Sequence, residues 1–161
     1  MAVVVDTSTI LALATIGELD LLKNLFGSIE ISQEIKDEVL VREGPAKDAI
    51  NEAIGDWIVV KTTPHNNKSL MSTGLGKGER SLFALFRPGD VLIIDDALAR
   101  RTARTKGIEF TGLLGLLIAA VHERVIKKDR GISILEKLAS SDFHMTVSLY
   151  ISVKRKIEDA Y

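Results

Sequence analysis

The chain opens on a short apolar run, Ala2, Val3, Val4 and Val5, and turns polar at Asp6, Thr7, Ser8 and Thr9. A run apolar on both alternating faces predicts a strand buried on both sides, as in a parallel sheet. The turn leads into Ile10–Ile16, a short predicted helix ending at Gly17. Leu19–Phe26 reads as a second helix, stopped by Gly27. Ile29–Ile31 is a predicted strand, and Ser32 caps a helix over Gln33–Arg42, broken by Gly44-Pro45. Ala46–Ile54 is a further helix and Trp57–Val60 a third strand. Thr62–Gly76 is polar, with Pro64, Asn66, Asn67 and Gly74, and reads as a loop.

The second half keeps the alternation. Gly78–Phe86 is a predicted helix ended by Pro88-Gly89, and Val91–Ile94 a fully apolar fourth strand. Asp95 and Asp96 follow it and open a helix over Ala97–Lys106. Ile108–Phe110 is a predicted fifth strand, and Gly112–Glu123, Ile132–Leu138 and Val147–Ala160 are helices. Strands alternating with helices predict one α/β domain over residues 1–161, a central parallel sheet with helices on both faces.

Composition changes this picture little. A chain of 161 residues, 46% hydrophobic, is long enough to bury a sizeable core. No apolar run is long enough to span a membrane, and the N-terminal strand does not read as a signal peptide. The absence of cysteine excludes disulfides and thiolate metal sites and fits a cytoplasmic location. The net charge of −1 argues against binding nucleic acid by bulk charge, while leaving room for a local basic patch.

The candidate chemistry lies in acids at strand ends. Two strands end in aspartate, one at Asp6 and one at Asp95-Asp96. In open α/β sheets, ligands bind outside the carboxyl ends of the strands. If these strands are neighbours, like charges meet there, which is unfavourable unless a cation sits among them. All-oxygen donors suit Mg²⁺ or Mn²⁺. Glu38 and Glu79 lie at helical positions that could face the same crevice. Each acid also has a plain structural use. Asp6 and Asp96 are good N-caps, Glu79 suits a first helical turn, and Glu38 stands among Glu34 and Asp37 as a solvated acid would. The Asp-Asp pair is harder to dismiss, because a cap needs only one of them. Gly74–Gly78 fails the spacing of a phosphate-binding loop. His65, His122 and His144 have no partner at metal-ligand spacing and read as structural or surface residues.

The order Asp6-Thr7-Ser8, Glu38 in EIKDEV, Gly78-Glu79 and IIDDALARRTA resembles a PIN-domain protein. More narrowly, it resembles the VapC-like branch in which Gly-Glu replaces the usual third aspartate. The resemblance runs from Val3 to about Leu138 and includes TGLLGLL. It implies a three-layer α/β/α fold and a Mg²⁺- or Mn²⁺-dependent ribonuclease, often the toxin of a toxin–antitoxin pair. It implies Asp6, Glu38, Glu79 and Asp96 as metal-binding acids. Ile94 stands where the family pattern has a threonine, and Asp95 beside Asp96 joins the catalytic set with its own role open. Ser8 resembles the hydroxyl residue two places after the first acid. Arg100, Arg101 and Arg104, three or four apart on the following helix, are candidates to hold RNA phosphates. The resemblance also implies a homodimer, and the five apolar residues of Leu19–Phe26 predict an exposed patch for it. A non-catalytic PIN-like module that binds RNA or a partner protein is the alternative reading.

Overall fold

The computed structural model of the chain describes residues 1–64 and 74–161. The loop predicted over Thr62–Gly76 falls mostly outside these residues, as does His65. The described elements, in chain order, are β1 (Val3–Val5), α1 (Thr7–Thr15), α2 (Asp20–Phe26), β2 (Ile29–Ser32), α3 (Gln33–Val39), α4 (Pro45–Ala53) and β3 (Ile58–Lys61). After the segment not described come α5 (Lys77–Leu85), β4 (Val91–Ile93), α6 (Ala97–Thr105), α7 (Leu113–His122), α8 (Lys128–Ala139) and α9 (Val147–Glu158).

The four strands form one parallel sheet in the order β3-β2-β1-β4, and helices flank it in a three-layer α/β/α arrangement. β1 is a central strand, and Val3, Val4 and Val5 are all buried, as a run apolar on both faces requires. From β1 the chain steps outward through β2 to β3, then returns to place β4 on the other side of β1, with Val3 opposite Val91 and Val5 opposite Ile93. The direction of winding therefore reverses between β1 and β4. A crevice at the carboxyl ends of the strands belongs at such a switch point.

Two expectations are corrected. The fifth strand is absent from the sheet. Ile108 remains tied to the end of α6, its N–H donating to the Ala103 carbonyl at 2.9 Å. Only Thr111 comes alongside β4, giving its N–H to Leu92 and accepting from the Ile94 N–H at 2.9 Å, before α7 begins. The segment is too short between two helices to do more. Secondly, the apolar residues of α2 do not form an exposed patch. Leu19, Leu21 and Leu22 belong to the core, and Leu25 and Phe26 pack against it. Leu22 is fully buried within one chain, so it cannot be an interface residue. The remaining boundaries differ by one or two residues, except that α1 starts at Thr7, α3 stops at Val39 and α8 starts at Lys128, the polar first turns of α1 and α8 giving no apolar signal.

The three C-terminal helices pack closely. A Cβ on Gly131 of α8 would stand 2.5 Å from Val121 of α7 and 3.3 Å from Ile157 of α9, so glycine sets this spacing. An ion cluster ties α8 to the turn after α1. The carboxylate of Glu18, almost wholly buried, accepts from Arg130 at 2.9 Å and Lys137 at 2.7 Å. Burial alone would raise the Glu18 pKa, but the two cations outweigh it and hold the group below the usual glutamate range. A depressed native pKa stabilises the fold above the unfolded-state value of about 4.3 and stops doing so as the pH falls through the native value. Glu18→Gln is therefore expected to cost about 1 kcal/mol at pH 7. In urea unfolding across pH, the gap between variant and wild type should shrink as the pH falls below about 4.

Candidate metal and nucleic-acid site

The site grows from the first strand. Asp6 directly follows β1 and is 3% exposed. It N-caps α1: its Oδ1 accepts from the Thr9 N–H at 2.9 Å. Its Oδ2 accepts from the Asp95 N–H at 2.7 Å and, at 3.4 Å, from the Asp96 N–H. The Asp6 N–H in turn donates to the Ile93 carbonyl. Asp6 thus clasps the ends of β1 and β4 at the switch point. Burial pushes its carboxyl above the usual aspartate range, the hydrogen bonds from Thr9 and Asp95 pull it back, and the nearby Asp95 charge adds to the rise. A positive charge placed here would relieve that penalty.

The two aspartates at the end of β4 have different jobs. Asp95 Oδ1 pairs with Arg100 at 2.8 Å, and its Oδ2 accepts from the Thr9 hydroxyl at 2.9 Å and the Leu113 N–H at 3.0 Å. Its carboxylate joins α1, α6 and α7. Asp96 caps α6, with Oδ1 accepting from the Ala99 N–H at 2.8 Å. Among the described residues no hydrogen bond reaches its Oδ2, so this oxygen is the one of the pair with free coordinating capacity.

Glu38 projects from α3 toward the same end of the sheet. Its Oε2 accepts from the Thr7 hydroxyl at 2.6 Å, next in sequence to Asp6, and its Oε1 accepts from the Gly78 N–H at 3.2 Å. Gly78 must be glycine for this, since a Cβ there would stand 2.5 Å from Glu38 Oε2. Ser32, at the end of β2, shares a 2.6 Å hydrogen bond with Ser81 of α5, which fixes the start of α5 beside α3. Glu79 lies in the first turn of α5 and folds its carboxylate back over Gly76.

Asp6, Asp95, Asp96 and Glu38 therefore stand at one end of the sheet, linked through Thr7 and Thr9, with Glu79 at the start of α5 beyond Glu38. Among the described residues no three acids or histidines are close enough to grip one ion together. In kind the donor set fits a hard divalent cation: it is all carboxylate, with no sulfur, and the one buried carboxyl is held in a state that a cation would relieve.

A cavity of about 790 Å³ opens beside Asp95 and Asp96. Ser8 and Arg100 line it, while Asp6, Glu38 and Glu79 do not. Arg100 is half-buried, pinned to Asp95 and to the Ile94 carbonyl, and lies over the Phe110 ring, as does Arg104. Arg101 is exposed, and neither it nor Arg104 reaches the cavity. Sequence reasoning missed Thr7, Thr9, Arg42 and the segment Ser141–His144. Thr7 and Thr9 flank the first acid closely enough to have been found. Arg42, Phe143 and His144 are brought to the cavity by the tertiary fold alone.

A family model for the PIN domain matches residues 2–159 of the chain. No curated protein and no solved structure matches it.

Gly112 tests the Asp95 clasp. A Cβ there would stand 2.7 Å from Asp95 Oδ1 and collide with the Arg100 guanidinium. Gly112→Ala is expected to break the ion pair and cost about 2 kcal/mol by thermal denaturation. In an Arg100→Ala background the same substitution should cost much less. Equal costs in both backgrounds would contradict the clasp.

Proposed function

The chain belongs to the PIN-domain family, and on that premise we propose that it is a Mg²⁺- or Mn²⁺-dependent ribonuclease that hydrolyses RNA phosphodiester bonds. PIN domains are generally nucleases. The observation that carries the reading is the buried Asp6 carboxylate, clasped at the switch point of a parallel sheet to the turn whose Asp95 and Asp96 line a cleft.

Asp6, Glu38, Glu79 and Asp96 would hold the ion by drawing together around it, since among the described residues no three acids already lie within reach of one cation. When bound, it supplies charge neutralisation at the phosphate and lowers the pKa of a bound water. The chain's own contribution is positioning. Thr9 and the backbone of the β4–α6 turn hold Asp6 in one rotamer, and Thr7 and Gly78 hold Glu38. Asp95 serves as a brace, fixing Arg100 on the cleft wall. Ser8 and Arg100 are within the cleft to meet a phosphate, with Arg101 and Arg104 along the approach on α6.

The toxin role, with an antitoxin protein as partner, and the homodimer extend the reading on the family resemblance alone, since the apolar residues of α2 pack on the core of their own chain. Among the described residues no helix is long and apolar enough to cross a membrane. The alternative, a non-catalytic module binding RNA or protein, is favoured by one observation: Ile94, fully buried, supplies no hydroxyl at the strand end where the family pattern has threonine.

Cleavage of a fluorescent single-stranded RNA decides between them. Wild-type protein should cut with added Mn²⁺ and stop with chelator. Asp6→Asn should lose at least about a hundredfold in rate while keeping its far-UV circular dichroism. Metal-independent cutting, or full activity in Asp6→Asn, would refute the assignment.

A further inference from the structure

The cleft is larger than a phosphate requires, and beside its charged residues it has a wall of another chemistry, with Phe143 and Leu149 from the segment after α8. We propose that this wall is a nucleobase subsite, which receives one unpaired base of the RNA next to the phosphate at Asp96. The inference rests on the ribonuclease reading for its substrate class.

Three observations carry it. The first is size: about 790 Å³ falls within the range of ~300–1,000 Å³ typical of small-molecule sites. The second is the distribution of chemistry. Leu11, Ala12, Leu114, Phe143 and Leu149 supply apolar walls and one aromatic ring. Arg42, Asp142 and His144 stand among them with charged or ring-nitrogen groups. A flat, apolar-faced ligand with donors and acceptors on its edge suits that lining, and single-stranded RNA is read by splaying bases onto aromatic side chains in this way.

The third is that the wall is preorganised. The loop between α8 and α9 is tied by Ser141, whose hydroxyl donates to the Leu138 carbonyl at 2.7 Å and accepts from the Phe143 N–H at 3.2 Å. Thr146 then caps α9, accepting from the Leu149 N–H at 3.2 Å. Phe143 is thereby packed against the core while still lining the cleft. Leu149 remains 42% exposed, a large apolar side chain beside a charged site. An occupant with one anionic group and one apolar face finds partners for both in this cleft, with Arg42 and Arg100 for its charge. A plain apolar ligand would leave the acids and arginines unmet, and a free phosphate would leave Phe143 and Leu149 unmet.

The test separates base binding from cleavage. Binding of a short fluorescein-labelled single-stranded RNA is compared with that of the same oligomer made abasic, by anisotropy at low salt in EDTA. The base-containing oligomer should bind about tenfold more tightly. Phe143→Ala should erase the difference and leave binding of the abasic oligomer unchanged. Should that variant fold poorly, His144→Ala and Leu149→Ser, at exposed positions, should each reduce the difference. Equal binding of the two oligomers, or binding of neither, overturns the subsite and leaves the apolar wall to a protein segment. Base-dependent binding without Mn²⁺-dependent cleavage would keep the subsite and sink the nuclease reading.

Discussion

A carboxylate taken out of water needs partners, and the ends of β1 and β4 are built around supplying them to Asp6. Its two oxygens receive backbone N–H groups from Thr9, Asp95 and Asp96, which no other part of the chain could bring together. The requirement fixes the turn after β4, and so the start of α6. It also fixes the start of α1, which Asp6 caps. Breaking the clasp would leave buried N–H groups and a buried charge unpaired at once, a cost the fold avoids by holding one geometry.

From that point the remaining carboxylates divide their labour by what already binds them. Asp95 has three partners and acts as a brace across three helices. Asp96 spends one oxygen on a helix cap. Glu38 is steered by Thr7 on one side and by a glycine on the other. The glycines are as necessary as the acids. Gly78 and Gly112 each leave room for a carboxylate or guanidinium that any side chain would displace. A site rigid in this sense positions charge before substrate arrives, which is the useful property for phosphodiester hydrolysis.

The sequence revealed the sheet because β1 and β4 are short, wholly apolar and each ends in aspartate. It pointed to Asp6 and Asp96 as candidates for the same reason. It did not separate Asp95 from Asp96, since the difference lies in contacts with Thr9, Arg100 and Leu113 that are distant in sequence. Ile108–Phe110 had a strand's composition but lies too close to two helix ends to pair. The apolar density of α2 suggested an interface because a helical pattern gives the width of an apolar face and not what covers it. The cleft's apolar lining left no local trace. Arg42, Phe143 and His144 meet there only because α8 and α9 fold back toward α1 and α6.

We propose that Asp6, Glu38, Glu79 and Asp96 act as one cation site. Nuclear magnetic resonance with trace Mn²⁺ tests it most directly, because a paramagnetic ion broadens only the amides near it. The expected result is selective loss of the Thr7, Gly78 and Asp96 amide signals at Mn²⁺ well below one equivalent, and their return on adding chelator. Broadening spread over surface acids such as Glu43 and Glu123, with Thr7, Gly78 and Asp96 spared, would contradict it.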